Sequence, residues 1–184
     1  MFGKNFGYCA VFALTVSQLA SAESMLIDDF SSNPQARWQY VSDQVMGGVS
    51  KGAVEYKKQD DVFYAALVGE VSTENNGGFI QIRTRVDKVQ VAEVKAVHIL
   101  ARGNNQRYFI HLRTTGTLLP WQYYQVSFEV SEQWQDFMLP LEQFSRSGNW
   151  LSRRIQPQTI RSIGVVAYGR DHQAEIEIAQ IGFH

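Results

Sequence analysis

Ile80-Gln-Ile-Arg-Thr-Arg-Val86 and Tyr124-Gln-Val-Ser-Phe-Glu-Val130 decide the fold. Ile80, Ile82, Thr84 and Val86 alternate with Gln81, Arg83 and Arg85, and Tyr124, Val126, Phe128 and Val130 alternate with Gln125, Ser127 and Glu129. Successive side chains of an extended chain point to opposite faces, so a period of two marks a strand with one buried and one wet face. Working outward, the stretches 63–72, 94–102, 108–114, 163–168 and 174–181 are also rich in β-branched and aromatic residues. At least seven strands follow. Turn residues fall between them: Gly47-Gly48, Asn75-Asn76-Gly77-Gly78, Gly103-Asn104-Asn105, Gly148-Asn149 and Gly169-Arg170-Asp171. Arg102 to Arg107, lying between two alternating runs, reads as a hairpin, and Leu141 to Arg146 as one short helical turn. Short strands, glycine-rich turns and no sustained helical period predict an all-β antiparallel sandwich or jelly roll.

The 184 residues are 45% hydrophobic and 19% charged, the composition of a globular protein with a core. Residues 1–22 differ from the rest. Lys4 is their only charge, an apolar run spans Tyr8 to Val16, and Ala20-Ser21-Ala22 supplies the small residues of a cleavage site. This predicts a secretory signal peptide, followed by one domain at 23–184 in a periplasmic or secreted setting. The apolar run is far short of the roughly 20 residues a spanning helix needs, so no membrane span is expected after cleavage. Cys9 is the sole cysteine and precedes that cleavage site. After residue 22 there remain all 18 acidic and 16 of the 17 basic residues, a net charge of −2 that recruits no nucleic acid.

Two polar, glycine-rich segments stand out as a candidate binding rim. The first is Val41-Ser-Asp-Gln-Val-Met-Gly-Gly-Val-Ser50, with Asp43, Gly47 and Gly48; the second is Val71-Ser-Thr-Glu-Asn-Asn-Gly-Gly-Phe79, with Glu74, Asn75 and Asn76 leading into Arg83. Paired glycines let another group approach the backbone closely, and carboxylate, amide and guanidinium groups suit hydroxyl- or carboxylate-bearing ligands. A tight loop capped by Asp43 and a solvated strand face satisfy the same residues. If the two segments share a site, they meet at one end of the sandwich together with Arg83. Trp121, Tyr123, Tyr124 and Trp150 are flat rings for stacking on sugars or anchoring a protein, or else packing at the sandwich ends. Asp28 or Asp29 meets Glu175 or Glu177 around calcium only if the first and last strands adjoin, and solvated carboxylates explain the same residues.

Catalytic signatures do not emerge. His98, His111, His172 and His184 lack zinc-site spacing, and no nucleophile elbow, phosphate loop or dinucleotide fingerprint is present. A carboxylate pair for glycoside hydrolysis is available in any β-protein and selects nothing. A non-enzyme without metal or other cofactor is expected.

Taken in order, Trp38, Ser42-Asp43, Met46-Gly-Gly-Val-Ser50, Gly69, Asn76-Gly-Gly-Phe79, Arg83, Arg102-Gly103, Arg107-Tyr108, Tyr124, Trp134-Gln135, Leu139-Pro140, Phe144, Ile163-Gly164 and Ile176 to Ile181 resemble the complex I intermediate-associated protein 30 family. The resemblance implies a galactose-binding-domain-like jelly roll and a non-enzymatic assembly role. Together with the expected signal peptide and the lack of catalytic motifs, it leads to the expectation of an exported module that binds or stabilises a protein partner in the cell envelope. Arg102 joins the candidate binding residues through this resemblance and Trp121 through its exposed ring. The alternative is a carbohydrate-binding module of the same fold.

Overall fold

A computed structural model describes residues 24–87 and 94–184; the expected signal peptide lies outside the described residues. Two antiparallel sheets carry the alternation read from the sequence. The first contains β1 (Met25–Asp28), β3 (Lys51–Gln59), β4 (Val62–Val71), β6 (Ala96–Gly103), β9 (Gln135–Pro140) and β12 (His172–Phe183). Its order is β3-β4-β12-β6-β9, with β1 also paired to β12. The second contains β2 (Gln39–Ser42), β5 (Phe79–Arg85), β7 (Arg107–Thr114), β8 (Tyr124–Glu129), β10 (Ser145–Arg146) and β11 (Ile160–Tyr168), ordered β10-β8-β7-β11-β5-β2.

Between the sheets lie the inward members of each alternating run. Ile80 and Ile82 of β5, Tyr108, Ile110 and Leu112 of β7, and Ile163 and Val165 of β11 face Leu67 of β4, Ile99 and Ala101 of β6 and Ile176 and Ile178 of β12, all without solvent exposure. Burying a side chain of this size is worth about 1.5–3 kcal/mol. This shared layer is the main force joining the sheets. A polar link reinforces it: the buried Tyr108 hydroxyl donates to Asn104 Oδ1 at 2.7 Å and accepts from the Glu175 amide of the other sheet at 2.7 Å.

All seven expected strands are present, and Leu141–Gln143 forms the expected short turn as 3-10 helix. The hairpin expected at 102–107 is not a hairpin. β6 pairs with β12 and β9, whereas β7 pairs with β11 and β8 in the other sheet. The turn residues bond outward instead, Gly103 N–H to the Ser131 carbonyl and Asn104 N–H to the Glu175 carbonyl. Alternation on both sides of a turn cannot tell a hairpin from a crossing between sheets.

β1 does adjoin β12, yet the calcium arrangement does not form. Asp28 stands opposite Ile181, while Glu175 and Glu177 pair with Val68 and Ala66 farther along β12. The Asp28 carboxylate is instead occupied by the Arg37 guanidinium, the Trp38 indole N–H at 2.7 Å and the Phe30 amide at 2.8 Å. Glu177 pairs with Arg102. Among the described residues no group of three or more His, Cys, Asp or Glu is placed to hold a metal ion, and no helix is long and apolar enough to cross a membrane.

Candidate functional site

The two glycine-rich segments do meet, and Asp43 is where they join. Its fully buried carboxylate accepts from the Ser50 hydroxyl at 2.5 Å, the Ser50 amide at 3.0 Å and, across the gap, the Gly78 amide at 2.6 Å and the Phe79 amide at 3.3 Å. Burial works to raise the Asp43 pKa, but these donors together outweigh it and hold the carboxyl below its usual value. Glycine is required where the loops touch this group. A Cβ on Gly48 would lie 2.3 Å from the Asp43 carboxyl carbon, and one on Gly77 would lie 2.4 Å from its Oδ2. Gly47 turns with φ 93°, and Asn75 and Asn76 take left-handed φ values of 55° and 57°, a region asparagine tolerates well. Thr73 ties the second loop to Asp171 through two hydrogen bonds at 2.7 Å. Asp43, Gly47, Gly48, Glu74, Asn75 and Asn76 are thus neighbours at one end of the sandwich, and the Asp43 oxygens are occupied by the protein's own donors.

Arg83 is not with them. It lies four residues along β5 from Phe79, about 13 Å away at strand rise, and its guanidinium donates to Gln39 Oε1 at 3.1 Å. Arg102 lies on the other sheet, on its outer face. There it pairs with Glu177, bonds Gln59 and sits 4.6 Å over the Trp134 ring beside Tyr64, above a small apolar cluster of Tyr64, Ala66 and Ala179. Of the four candidate stacking rings, Tyr124 belongs to the core, with its hydroxyl on the Ser152 carbonyl. Trp121 and Trp150 are 66% and 94% exposed. Their loops are stitched together, since the Ser147 hydroxyl donates to the Trp121 carbonyl and accepts from the Tyr123 amide.

Tyr123 leads to a feature that sequence reasoning missed, the outward face of the second sheet. Arg83 of β5, Gly164 of β11, His111 of β7 and Gln125 of β8 follow one another across four strands in register. Gly164 has no side chain of its own, and the Gln81 side chain leans over it, with Oε1 3.2 Å from where a Cβ would sit. The His111 ring stacks on Tyr123 with centroids 4.1 Å apart and planes 10° from parallel, and Tyr168 and Phe109 pack edge-on around it. Burial pushes the imidazole pKa down to about 4, against a smaller opposing effect of Gln125, so His111 is neutral at physiological pH. Burial, with the neighbouring Tyr168 hydroxyl, raises the Tyr123 phenol. At the far end of this face opens a cleft of about 1030 Å³, lined by Arg37, Gln39, Arg83, Arg85, Arg113 and Arg161 among others. The alternation of His111 and Arg113 was legible in the sequence; their neighbours across β11 and β8 were not.

The family profile of complex I intermediate-associated protein 30 matches residues 28–178. The chain belongs to this family. A comparison with curated protein sequences gives no match. Among solved structures, the family 11 carbohydrate-binding module of the Clostridium thermocellum cellulosomal cellulase Lic26A-Cel5E superposes with a TM-score of 0.71 at 13% identity, covering 89% of this chain and 95% of that one. The same type of module in complex with a β-1,3-1,4-mixed-linked tetrasaccharide gives 0.70 at 13% identity, covering 89% and 96%. A family 30 carbohydrate-binding module gives 0.53 at 11%, covering 74% and 91%. At such identities the likeness is one of fold: this member of the complex I intermediate-associated protein 30 family is a jelly roll of the carbohydrate-binding-module type.

Proposed function

We propose that this chain is an exported, non-catalytic binding module whose ligand is carbohydrate, held along the outward face of the second sheet. The observation that carries the reading is the His111–Tyr123 stack on that face, with the exposed Trp121 two residues from Tyr123. A rigid aromatic surface on a sheet scaffold offers a flat apolar face to the C–H side of a sugar ring at little entropic cost. The shared fold with a module solved in complex with a β-1,3-1,4-mixed-linked tetrasaccharide adds support of a general kind. Binding on a glycan array of plant, algal and bacterial polysaccharides, weakened about tenfold or more by Tyr123→Ala, is the expected result. A silent array overturns the reading.

A protein partner in the cell envelope is the second reading, favoured by family membership and by the loop that Asp43 pins. Val45 and Met46 stand 76% and 63% exposed on that loop, two apolar side chains held in water. A defined envelope partner retained by the wild type and lost by Met46→Asp is the expected result for that rim. Gly48→Arg is unsuitable as a probe, because any side chain there collides with Asp43.

A further inference from the structure

Five arginines line the cleft at the far end of the sheet face, Arg37, Arg83, Arg85, Arg113 and Arg161, and Asp87 is the one carboxylate among the described residues lining it. The whole chain has 17 basic and 18 acidic residues, so this concentration is a matter of placement rather than composition. Arg37 is neutralised by Asp28. The others are held differently. Arg83 donates to the Gln39 amide oxygen, Arg113 to the Leu119 and Thr117 carbonyls at 2.8 and 3.4 Å, and Arg161 to the Gln158 and Ile160 carbonyls at 2.9 and 2.8 Å. The Arg85 guanidinium makes no hydrogen bond or ion pair with a described residue. A neutral acceptor fixes the direction of a guanidinium fork without cancelling its charge, so Arg83, Arg113 and Arg161 are oriented and keep their charge. Partial burial, and then the charge of Arg83, pull the Arg113 pKa below its usual value.

Arg113 and His111 are two residues apart on the same face of β7, about 7 Å at strand rise. Cleft and aromatic platform are therefore one continuous surface, to which Thr115 and Ser162 add hydroxyls. We propose that the cleft takes the carboxylate or sulfate groups of an acidic polysaccharide whose chain runs on to the His111–Tyr123 platform. This rests on the carbohydrate reading above. Uronate carboxylates and sulfate esters both present the paired oxygens that a guanidinium fork accepts. A polynucleotide fits less well, because its backbone calls for basic residues along an extended track, whereas here they converge on one cleft of a net-negative chain.

The test is affinity electrophoresis of the full chain against polygalacturonate, dextran sulfate, neutral dextran, neutral mixed-linked β-glucan and a single-stranded oligonucleotide. At least one acidic polysaccharide should bind about tenfold or more tighter than the neutral glycans, with affinity falling as salt rises. Which of the two binds tighter assigns carboxylate or sulfate. Arg85→Gln, which breaks no internal bond to a described residue, should lower acidic binding about fivefold at an unchanged melting temperature, and Arg83→Gln should do the same. Neutral binding should hold in Arg85→Gln and fall in Tyr123→Ala. Equal affinity for acidic and neutral glycans, or acidic binding untouched in Arg85→Gln and Arg83→Gln together, overturns the inference and leaves the carbohydrate reading standing. Binding to the oligonucleotide with no glycan bound overturns both.

Discussion

The two ends of the second sheet use their charged residues in opposite ways. At the Phe79 end, the Asp43 carboxylate takes four donors from two loops and is sealed from solvent. At the Arg85 end, guanidiniums rest on neutral oxygens around an open cleft. A charge that meets its complement inside the fold is spent on structure; one that is only oriented remains available to a ligand. The comparison teaches that a polar, glycine-rich segment signals a need for hydrogen bonds without saying whether the chain itself fills it.

The largest effect should come from cutting the sealed end. Asp43→Ala leaves the buried amides of Ser50 and Gly78 without an acceptor, and should cost about 3 kcal/mol or more in chemical denaturation. The same carboxyl carries a pH signature. Its folded pKa lies below the ordinary 3.8, so its contribution is complete above 3.8 and drains away as pH falls through the lower folded value. A variant as stable as the wild type would show that the seal is incidental and break the comparison.

Next in size is Tyr108→Phe, which keeps the buried ring and removes the hydroxyl that receives the Glu175 amide. A loss of about 2 kcal/mol is expected in the same measurement. Retention of full stability would place the hold between the sheets in their apolar layer alone.

His111→Phe should have the smallest effect at neutral pH. In the wild type the imidazole is neutral when folded down to about pH 4 but protonates near 6.5 when unfolded. Wild-type stability should therefore decline as pH falls from 6.5 towards 4, and the phenylalanine variant should show a flatter profile across that window. Identical profiles would mean that the platform imidazole is hydrated, not buried against Tyr123.

How far the sequence carried this picture depends on position in the sheets. The seven strands legible as alternating or β-rich runs, β4, β5, β6, β7, β8, β11 and β12, each have partners on two sides. β1, β2, β3, β9 and β10 each pair with one neighbour only, and none was legible. Edge strands face water more and carry polar gatekeepers: Lys51, Glu55, Lys57, Lys58 and Gln59 break the pattern of β3. The site divides similarly. Asp43 and both glycine-rich loops were visible because glycine and asparagine mark unusual backbone. Arg83 and Arg102 looked alike in sequence, each on an alternating strand, and only the pairing places one in an open cleft and the other between Glu177 and Trp134. His111 shows only a histidine without metal spacing in the sequence, since its stack joins β7 to Tyr123 in the loop before β8.

β12 is the last of the twelve strands among the described residues, yet it lies in the middle of its sheet, paired with β4, β6 and β1. Until residues 172–183 have been synthesised, the β3–β4 and β6–β9 pairs have nothing to join them, and β1 has no partner. Ordering of that sheet thus waits on residues 172–183, and its assembly depends on contacts between segments far apart in sequence.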